Sequence, residues 1–115
     1  MSARIPNERT SRRTSRATEI IAHEAAVFIK DIASPESLIT VTHALPFSHG
    51  ERMTVYVSVF PEAREGAACA LLARKREAFS DYLKTHVRIK PLPRVDFEID
   101  HGEKHRRHLD ELSGG

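Results

Sequence analysis

Residues 74–94 carry Arg74, Lys75, Arg76, Lys84, Arg88, Lys90 and Arg94 against only Glu77 and Asp81, a local charge of +5. A second basic block opens the chain, where Arg4, Arg9, Arg12, Arg13 and Arg16 face only Glu8, for +4. Between and after them residues 17–73 hold −4 and residues 95–115 hold −3, so the overall +2 conceals a strong segregation. Two separated basic blocks create the local potential that attracts a polyanion, and clustered cations rather than a high total are the usual footprint of nucleic-acid binding. Phosphate contact through Arg74, Lys75, Arg76, Lys84, Arg88, Lys90 and Arg94, with Arg12, Arg13 and Arg16 on a flexible arm that orders on RNA, is therefore the expected chemistry. The alternative for each block is a solvated surface or an inert tail.

Other constellations are weaker. His101, Glu103, His105 and His108 have helical spacings that could suggest metal ligands, but Lys104, Arg106 and Arg107 interleave with them and no metal is expected. Asp96, Glu98 and Asp100 could serve metal-assisted phosphodiester cleavage, yet the polar side of an amphipathic strand explains them without chemistry. There is no Gly-x-Ser-x-Gly elbow and no phosphate-cradling glycine loop. Cys69 sits among alanines and leucine, where a buried thiol is the ordinary case. The expectation is a non-enzyme without a cofactor.

The elements that would position the basic residues follow from periodicity. Ile21, Ala25, Phe28 and Ile32 recur at spacings of four, three and four, which predicts an amphipathic helix over about 17–33, ended by Ser34-Pro35. Residues 38–45 are β-branched, with Ile39, Val41, Leu45 and His43 on one face, and residues 53–60 alternate with Val55, Val57 and Val59 on one side. Together they predict a β-hairpin. Ala68, Leu72, Phe79 and Leu83, widened by Leu71, Ala78 and Tyr82, predict a helix over 67–86. Unbroken, it would be about 30 Å long, so a break near Arg74 to Glu77 is expected. Pro91 and Pro93 impose extended backbone ahead of a last strand at 95–100, with Val95, Phe97 and Ile99 facing the helices. The organisation expected is a basic flexible arm at 1–16, a domain at 17–100 and a polar tail at 101–115 with a helical turn near Leu109 and Leu112.

This order predicts a two-layer α+β fold, a three-stranded sheet covered by helices on one face. The last strand would put carboxylates on the open face, so nucleic acid is expected on the helix side and loops. One cysteine excludes an internal disulfide, and no apolar run approaches the roughly 18 residues that cross a bilayer. The basic first residues have no apolar stretch behind them, so a cytoplasmic location is expected.

The chain resembles the ribosome-binding factor A family from about Arg16 to Asp100. The resemblance is carried by the helix ending in Ser34-Pro35, where the family usually has Asp-Pro, and by the Ile39-Thr40-Val41-Thr42 strand. Phe47-Ser48 before the turn, the Val55-Tyr56-Val57-Ser58-Val59 strand and the closing stretch from Leu92 to Asp100 complete it. It implies a type II K-homology-like domain (helix-strand-strand-helix(-helix)-strand) and a monomeric factor. Such a factor binds the small (30S) ribosomal subunit and 16S rRNA near its 5′ end, assisting late 30S maturation and 16S rRNA 5′-end processing. The chain departs from the family where an Ala-x-Gly kink joins two helices, having Lys75, Arg76 and Glu77 there. Two other functions remain open: a general single-stranded-RNA-binding K-homology-like module, and a protein-interaction module with no RNA role.

Overall fold

The structure is a computed structural model; it describes residues 8–112, with side chains described for residues 16–110. Its elements run α1 (Glu8–Ile32), β1 (Leu38–Phe47), β2 (Arg52–Phe60), α2 (Glu65–Arg74), α3 (Arg76–His86), β3 (Arg94–Ile99) and α4 (His101–Leu112), with single 3₁₀ turns after β1 and β2. The sheet order is β1-β2-β3, with β1 antiparallel and β3 parallel to β2. This is the α+β, K-homology-like arrangement expected.

The core lies between the sheet and α1, α2 and α3. Ile21, Ala25 and Ile29 from α1, Val55, Val57 and Val59 from β2, Ala68 and Leu72 from α2, and Phe79 and Leu83 from α3 are all buried there. Phe79 sits at its centre, with ring centroids 5.1 Å from Phe28, 5.5 Å from Phe97 and 6.0 Å from Tyr82. Tyr82 ties α3 to α1 by donating to Glu24 Oε1 at 2.7 Å, and that hydrogen bond pushes its phenol up to about 12.

The expected break in the long helix is present. Lys75 leaves helical geometry at φ −94°, ψ 5°, dividing α2 from α3 without a glycine, and its N–H donates to Leu71 and Leu72 carbonyls. Ala78, placed at the edge of the apolar stripe, is exposed, because it stands about 100° around the helix from the buried Phe79. Cys69 is likewise exposed on α2 rather than buried.

Two boundaries differ from expectation. α1 begins at Glu8, so residues 8–16 have helical backbone, while residues 1–7 of the expected arm lie outside the described residues. Once a helix is nucleated each further residue adds a hydrogen bond, and arginine is a good helix former, so the helix continues where apolar periodicity stops. The expected polar tail is α4, for which the signal was present as Asp100-x-x-Glu103. Asp100 Oδ1 accepts from the Glu103 N–H at 2.9 Å, an N-cap with glutamate at the capping-box position.

A third correction concerns β1. The register shifts between Val41 and His43, leaving Thr42 as a bulge residue. The extra residue inverts the alternation, so Ala44 is buried while Leu45 and His43 turn outward, against the face expected for them. His43 stacks on Tyr56 instead, with centroids 4.7 Å apart.

The turn between β1 and β2 needs Gly50, whose φ of +85° is a left-handed conformation that side chains resist. Nothing lies within 4 Å of a Cβ built there, so only backbone strain opposes substitution. Gly50→Ala should cost about 1 kcal/mol and lower the Tm by about 4–8 °C, read by thermal unfolding.

Candidate nucleic-acid interface

The fold divides the basic residues of 74–94 between two ends of α3. Arg74, Lys75 and Arg76 occupy the α2–α3 junction, where Arg74 and Lys75 are exposed. Arg76 is committed to an ion pair with Asp96 on β3, Nη1 to Oδ1 at 2.7 Å. Asp96 also faces Arg52 at 3.5 Å, and Arg94 lies opposite Arg52 across the β2–β3 pair. Arg52 thus joins this cluster although periodicity gave no hint of it; only the parallel register of β3 on β2 brings it there. Asp96 partly neutralises the group, leaving Arg74, Lys75 and Arg94 as its outward cations.

The other end of α3 lies about 16 Å along the helix. There the segment after His86 runs past the amino-terminal half of α1, and Arg16, Arg88 and Lys90 line one groove with Ala17, Ile20 and Ile89. The sequence placed Arg16 on one basic block and Arg88 and Lys90 on the other. The fold joins them. Arg12 and Arg13 lie on the helical backbone of α1 one turn ahead of Arg16, and their side chains are outside the described residues. Lys84, between the two clusters, is exposed with its Nζ 3.5 Å from Asp81.

The carboxylates of β3 behave as structural partners. Asp96 and Glu98 alternate with the inward residues of β3, Asp96 in register with Thr54 and Glu98 with Tyr56, while Asp100 stands just past the strand. Asp100 is buried, accepts from Thr42 Oγ1 at 2.7 Å and lies 3.4 Å from His43 Nδ1. The Thr42 hydroxyl holds the Asp100 carboxyl below its ordinary range, assisted by the Glu103 N–H, while burial works against them.

The histidines of α4 are likewise dispersed. His108 bonds Glu62, which holds the Glu62 carboxyl below its ordinary range, and Glu103 pairs with Arg106. Among the described residues no group of three or more His, Cys, Asp or Glu side chains could hold a metal ion. No helix among them is long and apolar enough to cross a membrane.

The depressed Asp100 value sets the pH behaviour of α4. Asp100 titrates lower folded than unfolded, so its contribution is fully present above the unfolded carboxylate range, about pH 4, and is lost as pH falls through the lower folded value. Amide exchange in α4 should therefore accelerate under acid before that of β2. Asp100→Ala should produce the same acceleration at neutral pH, costing about 1 kcal/mol. Equal protection of α4 in the variant and the parent at pH 7 would show the cap to be dispensable.

The fold has solved counterparts. Over 75% of this chain and 93% of its own length, the crystal structure of ribosome-binding factor A from Thermus thermophilus superposes with a TM-score of 0.66 at 26% identity. The chain has the fold of ribosome-binding factor A. A second structure, the Thermus thermophilus ribosome-binding factor A homology model fitted into a cryo-EM map of its complex with the 30S subunit, matches with a TM-score of 0.59. It is 28% identical and covers 75% of this chain and 89% of that one. Both counterparts are binding factors rather than enzymes, in agreement with the expected class. No protein-family model matches the chain, and no curated protein matches it.

Proposed function

We propose that this chain is a ribosome-binding factor that docks on the small ribosomal subunit through 16S rRNA. The single observation that carries the reading is the likeness to ribosome-binding factor A over nearly the whole of that protein, one copy of which has been fitted to a 30S complex. The helix side adds the physical means: outward cations at the α2–α3 junction and in the groove beside α1 meet the phosphate backbone, the dominant and sequence-independent part of RNA affinity.

The factor acts in the cytoplasm as a monomer, in late 30S maturation and 16S rRNA 5′-end processing, contacting the rRNA near that end. It acts by mass action. Binding an immature rRNA conformation better than the mature one raises its population by that difference in affinity, and maturation then removes the site. Neither catalysis nor nucleotide is required.

Co-sedimentation of the purified chain with separated small and large subunits and intact ribosomes, at two salt concentrations, tests this. Salt-sensitive binding to free small subunits alone is the expected result. Equal binding everywhere, or none, overturns the reading.

A further inference from the structure

We infer that the groove between α1 and the segment after α3 is a site for one unpaired RNA nucleotide, its base on the apolar floor and its flanking phosphates on the rim. The inference deepens the ribosome-binding reading and rests on it for the source of the RNA. The groove has a volume of about 350 Å³, within the range of small-ligand pockets. Its described lining residues divide into two kinds. Arg16, Arg88 and Lys90 are exposed cations, and among the described residues none of them has an ion-pair or hydrogen-bond partner. Ala17, Ile20 and Ile89 are half-buried and apolar.

Among the described residues no acidic side chain lines the groove, unlike the α2–α3 junction, where Asp96 takes up Arg76. Three free cations around an apolar floor match a ligand with an apolar face and more than one negative charge. A nucleotide within a strand has both, because its base presents a π-face and a phosphate stands on either side of its sugar. A paired base would keep that face stacked in its helix, so the floor selects unpaired RNA.

The test uses the full chain and a fluorescein-labelled single-stranded RNA of eight nucleotides. The same strand with its central bases removed, a duplex of equal length and inorganic polyphosphate serve as charge-only comparisons. The intact strand should bind about tenfold more tightly than the abasic strand. Ile89→Ser and, independently, Ile20→Ser should bring it to the abasic level without changing the salt slope. Arg88→Ser with Lys90→Ser should instead lower the slope by about 1.4, at roughly 0.7 per single-strand phosphate contact. A 4-thiouridine placed centrally should crosslink to residues 87–90.

Equal affinity for intact strand, abasic strand and polyphosphate, with both serine variants folded by circular dichroism and silent, overturns the nucleotide site. If the chain still sediments with small subunits in that case, the ribosome-binding reading stands and only the groove assignment falls. Absence of subunit binding overturns that reading, while base discrimination by the groove is decided by the oligonucleotides alone.

Discussion

Reversing the outward cations, Arg74→Glu with Lys75→Glu at the junction or Arg88→Glu with Lys90→Glu in the groove, should lower affinity for the small subunit by about 100-fold in each case. A hydrogen bond to a charged partner is worth about 1.5–3 kcal/mol, so losing two removes at least about 3 kcal/mol, or two powers of ten. The fold should survive, because all four side chains are exposed and none is part of the core. Arg76→Glu behaves differently: it sets a second carboxylate against Asp96 and loses the 2.7 Å pair, so its effect on binding is mixed with a structural one. Titrations of each double variant against purified subunits, with circular dichroism as the control, check this. Unchanged affinity in a folded variant would remove that cluster from the interface.

The largest effect on stability is expected at the centre of the core. Phe79→Ala should destabilise the domain by about 3–5 kcal/mol, the range for truncating a buried phenylalanine. Phe79 is fully buried, and its ring meets Phe28 on α1 and Phe97 on β3, so the cavity opens where both helical and sheet layers converge. Native domains have about 5–15 kcal/mol in total, so the variant will be close to unfolding at 37 °C. Phe60→Ala is the contrasting case. Phe60 is 63% exposed, and its truncation should stay within about 0.5 kcal/mol. Denaturant midpoints measure both, and a Phe79→Ala midpoint near that of the parent would contradict the central position of the ring.

The contrast between these two phenylalanines shows what kind of information each level holds. Phe79 falls on a stripe with Ala68, Leu72 and Leu83, and Phe60 closes the Val55, Val57, Val59 alternation on the outward parity, so both fates are legible in the order of residues. Periodicity reports which side of an element an apolar residue occupies, and burial then follows once the elements meet. The hairpin and the inward set of β3 were legible for the same reason, and the break at Lys75 from the length an unbroken helix would have had. The capping signal of Asp100 and Glu103 was equally local, although the expectation of a polar tail passed over it.

Where one residue breaks the count, the local reading fails. The Thr42 bulge shifts everything after it by one position, which exposes Leu45, buries Ala44 and aims the Thr42 hydroxyl at Asp100. The sequence by itself determined the types and order of the elements from α1 to β3, the core faces of α1, β2, α2, α3 and β3, and the existence of two basic blocks, because these depend on neighbours a few positions apart. Only the tertiary structure decided how the cations are grouped. The parallel pairing of β3 on β2 sets Arg52 and Arg76 on Asp96, and the packing of α1 along α3 carries Arg16 to Arg88 and Lys90. Such groupings arise from contacts between distant parts of the chain, and local periodicity carries no record of them.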